Sequence, residues 1–247
     1  MADDRRRHSL LALRRARRET RHRNVQGNAA RAAVLGAGDG LITNVSLVLG
    51  VAGATTSAPT VRLAGIAGLL AGAFSMAAGE LVSVRAQDEL VQREIDVERE
   101  ELRDEPEAEQ RELAAMYRAR GLSVQDADTV ARILSANHDI ALDTHARLEL
   151  GIDPDAAGSA GRAGISSFVS FAVGALLPLL PWLFFGGGAA VLASIVIGAA
   201  AALSLGAVIG VFTGHGMVRT AFRQLAAAIV AAGITYLVGS LLGVHTA

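Results

Sequence analysis

Apolar and polar positions fall along this chain in long blocks rather than in short alternating runs. Five nearly continuous apolar stretches, 33–56, 63–85, 165–186, 188–212 and 224–244, each reach the roughly 20 residues that a helix needs to cross a bilayer. A basic stretch, 1–32, precedes the first, and a long polar one, 86–163, separates the second from the third. In hydrocarbon every backbone polar group must be satisfied within the segment, so stretches of this kind are helices. The pattern predicts an all-α integral membrane protein with transmembrane helices one and two in 33–85 and helices three to five in 164–247.

The insertion at 86–163 has helical punctuation. Leu90, Ile95 and Val97 carry the second helix on beyond the membrane. Pro106 interrupts it and opens the next helix, where a missing N–H is harmless. Gly121 closes that one, and Ser123-Val124-Gln125-Asp126 resembles a capping box opening a third that contains Val130, Ile133 and Leu134. Three helices are therefore expected, with Pro154 and the Gly/Ala/Ser run at 157–161 as the linker back. In the third span, Pro178 and Pro181 should kink or loosen the outer end. Trp182, Phe184 and Phe185 suit an interfacial belt. Gly186–Gly188 makes the turn into the fourth span.

Composition sharpens this picture. The chain is 51% hydrophobic but only 4% aromatic, which favours close packing of helices through small residues. With no cysteine there is neither a disulfide framework nor a thiolate metal site. All 23 basic residues are arginine, ten in 1–32, ten from Arg85 to Arg162, and one, Arg62, between the first two spans. Arg219 and Arg223 lie between the last two. An N-in, C-out topology puts 22 of them on the cytoplasmic side, as the positive-inside rule requires. The Arg-rich start lacks a short apolar core and cleavage site, so no cleavable signal peptide is expected. It reads as a helix on anionic lipid headgroups, a solvated positive-inside tail or an organelle transit peptide. No nucleic-acid partner is expected.

The acids are sorted as strictly. Of 24, three lie in the N-terminal tail and 19 in the insertion, and only Asp39 and Glu80 fall inside apolar stretches. A charge at mid-bilayer costs ~2.5 kcal/mol or more, so such a residue marks a pathway or a partner. Apart from Arg85, the last residue of the second, no arginine lies inside an apolar stretch to pair with either. Counted from the helix ends, both sit roughly 8–9 Å below the same surface. Gly38 and Gly40 flank Asp39, exposing backbone and allowing local unwinding. Gly68, Gly72, Met76 and Glu80, each four residues from the last, share one stripe of the second helix. Carboxylates, carbonyls and a thioether together suit transient binding of a divalent transition metal. The glycines do not make a dinucleotide loop, since they follow no strand and the spacing fails.

A second constellation lies in the insertion. Glu98 and Glu101, Glu109 and Glu112, and His145 and Glu149 are spaced three or four apart, so each pair shares a helical face. Packed together they would offer carboxylates and an imidazole to Mn2+, Fe2+ or Zn2+; unpacked, they are a solvated charged face. No nucleophile–base pair or HExxH motif points to an enzyme.

The blocks "GAGDGLITNVSLVLGVAGA", "AGAFSMAAGELVSVRAQDE", "LELGI", "SFVSFAVGALLPLLP" and "RQLAAAIVAAGITYLVGSLLGV", in this order, resemble the vacuolar iron transporter family over nearly the whole chain after residue 30. That resemblance implies a homodimer of five-helix subunits that moves Fe2+, often Mn2+, out of the cytoplasm in exchange for protons, with no prosthetic group. It also implies that Asp39 and Met76 match the family's pore carboxylate and methionine. Glu98, Glu101, Glu109, Glu112 and Glu149 match glutamates of its cytoplasmic metal-binding domain. Two positions depart from the pattern. Gly68 stands where plant members have a glutamate, and Glu80, in the "GE" of many bacterial and nodulin-like relatives, is present instead; a bacterial plasma membrane is the expected location. His145 replaces a methionine, a change to a harder ligand. The leading reading is a metal/proton antiporter; the alternative is a membrane-anchored metal sensor or buffer.

Overall fold

The computed structural model describes residues 28–55, 57–153 and 159–243. The Arg-rich start and most of the linker after Pro154 lie outside these. Among the described residues the chain is helical throughout, with eight helices: α1 (Asn28–Ala54), α2 (Ala58–Asp104), α3 (Pro106–Ala119), α4 (Val124–Ser135), α5 (His138–Leu148), α6 (Ala160–Phe184), α7 (Gly187–Thr213) and α8 (Met217–Gly243). Five of them, α1, α2, α6, α7 and α8, are long and apolar enough to cross a membrane.

α1 is the central helix of the bundle and packs on α2, α6, α7 and α8. Its closest partner is α6. A Cβ added at Gly40 would lie 2.2 Å from the Phe171 carbonyl oxygen, and one at Gly174 would lie 2.3 Å from that of Ala37. Only glycine lets the two backbones approach so closely. Gly40, beside Asp39, therefore serves packing, and α1 runs through 36–40 as unbroken helix rather than unwinding there.

α6 also continues as helix through Pro178 and Pro181 to Phe184. Its last turn is capped from another element: the Arg62 Nε–H donates to the Trp182 carbonyl, the kind of contact that suits a cation at a helix C-terminus. Trp182 does not belong to an interfacial belt. It is fully buried with Val48, Val61, Leu179 and Ala190, while Phe184 and Phe185 remain exposed.

α2 is one helix of 47 residues, about 70 Å long, that leaves the apolar bundle and runs on into the insertion. Pro106 disfavours helical geometry at Glu105 (φ −131°, ψ 51°), which ends α2, and then starts α3. Gly121, at φ +101°, turns the chain out of α3. Ser123 caps α4 by accepting from the Asp126 N–H at 3.2 Å. The next segment corrects the sequence reading. Asn137 accepts from the Asp139 and Ile140 N–H groups at 3.0 and 3.2 Å, a cap strong enough to open a separate helix. The insertion thus holds the end of α2 and three further helices, α3, α4 and α5, around Leu113, Ala114 and Ala131.

Candidate metal centre

Most of the acid-rich stretch is a solvated face, but Glu98 and Glu109 are only 2% and 8% exposed. Helical periodicity takes them inward. Ile95, Glu98 and Leu102 form the buried side of this part of α2, and Glu109 shares that of α3 with Leu113, the spacing of one helix face. α5 supplies His145, wholly buried between Ala141 and Ala146, and ends with Glu149 as its C-cap residue.

These four side chains meet at one point. His145 Nδ1 lies 3.1 Å from Glu98 Oε1, 3.3 Å from Glu149 Oε2 and 3.6 Å from Glu109 Oε2. One ligand atom each from Glu98, Glu109 and His145 lie within 4.8 Å of one another. Metal bonds of about 2.0–2.2 Å hold ligand atoms at most ~4.4 Å apart, a span that the separations from the imidazole nitrogen already satisfy. Glu98 Oε1 and His145 Nε2 are buried without a hydrogen bond, a state that costs ~1–3 kcal/mol per group. A cation among the four side chains would relieve the carboxylate oxygen.

The electrostatics also suit a bound cation. Burial first, and then the charges of Glu149, Glu109, Glu101 and Glu112, push the Glu98 carboxyl up to about 7. Burial likewise raises Glu109, with His145 opposing the shift. Three carboxylates around one imidazole repel one another unless protons or a metal neutralise them. Oxygen ligands with a single imidazole suit Mn2+, Fe2+ or Zn2+. Glu101 and Glu112 are exposed and outside the buried set, but their charges act on both buried glutamates. They form its rim.

The membrane residues are arranged differently from the sequence expectation. Gly68 faces Asn44 and Leu47 across the α1–α2 contact, and Gly65 faces Val48. Continuing that antiparallel register sets Glu80 beside Ala32 and Ala33, Met76 beside Gly36 and Ala37, and Asp39 beside Ala73 and Phe74. Asp39 and Glu80 are therefore not at one depth: Glu80 stands about 10 Å nearer the insertion side, with Met76 between the two levels. Met76 is half-buried against the Ala73, Phe171 and Ala175 cluster. Asp39 is exposed on the surface of α1 and accepts from the Thr43 hydroxyl at 3.3 Å.

Sequence reasoning missed two residues here. Arg31, two positions before the first apolar stretch, forms an ion pair with Glu80 at 3.2 Å, so that acid does have a partner. No spacing within one helix signals this pair, which joins α1 to α2 across 49 positions. Asn44, fully buried beside Gly68, donates to the Ala175 carbonyl at 2.6 Å and keeps Oδ1 unpaired; a lone Asn in an apolar run carried no distinguishing pattern.

The model of the VIT family matches residues 30–240. A vacuolar iron transporter from Acanthamoeba castellanii is 36% identical over 228 residues, covering 90% of this chain and 82% of that protein. Vacuolar iron transporter 1 of Arabidopsis thaliana is 32% identical over 80% of this chain and 79% of its own length. A vacuolar iron transporter homolog 1 of Oryza sativa subsp. japonica is 33% identical over 87% and 74%. The matched length and the identities lead to one conclusion: the chain belongs to the VIT family.

Proposed function

We propose that this protein exports Fe2+ or Mn2+ from the cytoplasm in exchange for protons, with Zn2+ a further candidate cargo. The observation that carries the reading is the continuity of α2. One unbroken helix bears the buried metal-ligand set at Glu98 and, some 27 Å back along its axis, Glu80 and Met76 at the edge of the apolar bundle. Metal is captured from the cytoplasm by Glu98, Glu109, His145 and Glu149, under the field of Glu101 and Glu112. It is then passed to an intramembrane site at Asp39, with Met76 as a soft neighbour. Relatives named vacuolar iron transporters support iron as cargo.

The working form is a homodimer. Asp39 lies exposed on its own subunit, and a carboxylate facing lipid costs ~2.5 kcal/mol or more. A second copy over this face of α1 would remove that cost and bring two such carboxylates together. The N-terminus is cytoplasmic, the C-terminus is not, and the membrane is a bacterial plasma membrane.

Uptake of Fe2+, Mn2+, Zn2+ and Ca2+ into proteoliposomes with an imposed pH gradient tests this. Fe2+ or Mn2+ flux should follow the gradient, and Asp39→Asn, which keeps the shape but not the charge, should reduce it at least a hundredfold with the dimer intact. Wild-type flux and an unchanged pH profile in Asp39→Asn would overturn the antiport mechanism. Metal binding without flux would instead support the sensor or buffer.

A further inference from the structure

The Arg31–Glu80 pair joins α1 to α2 across 49 positions of sequence. Among the described residues, the other arginine–carboxylate pairs lie within the insertion. Arg31, Leu35, Asp39 and Thr43, four apart, form one exposed stripe of α1, because that spacing returns to the same helix face. The Arg31 guanidinium therefore stands at the insertion-side entrance to the face that carries Asp39. A fixed positive charge there opposes the approach of a divalent cation. Glu80 is placed to cancel it: its side chain is 15% exposed, against 57% for Arg31, so the acid is the more deeply packed partner of the pair.

We propose that Glu80 is not a metal ligand but a positioning residue, the counter-ion that holds the Arg31 guanidinium against α2 and keeps the approach to Asp39 open to a divalent cation. The consequence for transport rests on the transport reading above; the charge relation itself does not. Losing Glu80 should harm metal entry by releasing Arg31, so removing Arg31 as well should restore entry. A ligand role predicts no such rescue.

The chain contains no cysteine, so Leu35→Cys introduces a single thiol per subunit, at a position exposed on the single subunit, one turn inside Arg31 on the path that the proposed dimer must leave open to an entering cation. Its reaction rates with a cationic and an anionic thiosulfonate reagent, measured in nanodiscs, report the local charge. Coulomb's law over about 10 Å, in a medium between protein and water, makes one uncancelled charge worth about a tenfold change in that ratio. Glu80→Gln should lower the cation-to-anion ratio by about ten, and Arg31→Gln with Glu80→Gln should return it to the starting value. In proteoliposomes, Glu80→Gln should raise the KM for Mn2+ about tenfold while leaving the maximal rate, and the double variant should recover the KM. A half-exposed pair contributes little to folding, so all the variants should purify normally, and Glu80→Asp should behave as wild type. An unchanged reagent ratio in Glu80→Gln, or a double variant as impaired in uptake as Glu80→Gln alone, overturns the proposal. Absence of uptake by the wild type would instead overturn the transport reading, and the thiol ratio would still decide the role of the pair.

Discussion

A carboxyl held at about 7, as Glu98 is, makes the insertion sensitive to pH where cells operate. In the unfolded chain such a group ionises near 4.5, so between these values the folded state holds a proton that the unfolded state has lost. Its contribution to stability is complete below about 4.5 and is lost as pH rises through about 7. Metal reverses the dependence, because the ligand carboxylate must be unprotonated to bind. Calorimetric titration of the full-length protein in detergent with Mn2+ should show affinity falling by up to about tenfold per pH unit below 7, with protons released on binding. Glu98→Gln should abolish most of that slope along with most of the affinity. A slope unchanged by Glu98→Gln would place the proton elsewhere.

At the scale of the element, the decisive feature of the insertion is the start of α5. Asn137 caps it and so sets the direction from which His145 and Glu149 reach the end of α2. Removing an N-cap of this kind costs ~1 kcal/mol. Asn137→Ala should lower the melting temperature and also weaken Mn2+ binding. Ser123→Ala, at the matching position of α4, should lower the melting temperature by a similar amount and leave binding unchanged. Equal losses of affinity in both would mean that α5 has no special part in aiming the imidazole. From the sequence one helix is expected after Ser123, containing Val130, Ile133 and Leu134, where the structure has α4 and α5. Ser123 was recognised by its Asp three residues on; Asn137 has no such pattern, and its cap rests on two backbone N–H groups.

For the molecule as a whole, the five candidate spans underlie the proposed topology, with the N-terminus cytoplasmic and the C-terminus not. A reporter fused after Ala247 should behave as extracytoplasmic and one inserted near residue 120 as cytoplasmic. Both on one side would refute the odd span count, most readily through the short turn at Gly186 between α6 and α7. The same topology puts the insertion, Glu80 and Arg31 at one membrane surface, which ligand capture and entry both require.

The sequence alone settled what depends on length, period and local chemistry. Five stretches of about 20 apolar residues become the five long apolar helices, Pro106, Gly121 and Ser123 punctuate the insertion, and Asp39 and Glu80 stand out by charge. It also carried the four side chains that meet in the insertion, because Glu98, Glu109, His145 and Glu149 belong to pairs at helical spacing. Tertiary structure decided which acids lose water. Glu98 and Glu101 have the same charge and neighbouring positions, and only packing against α5 buries the first. It decided depth as well: the register of α1 on α2 follows from where Gly65 and Gly68 admit Val48, Leu47 and Asn44, and counting from helix ends cannot see that. Arg31 and Glu80, and Arg62 and Trp182, meet across 49 and 120 positions. Period and propensity act over a few turns of one helix, whereas these pairings exist only once the helices have packed.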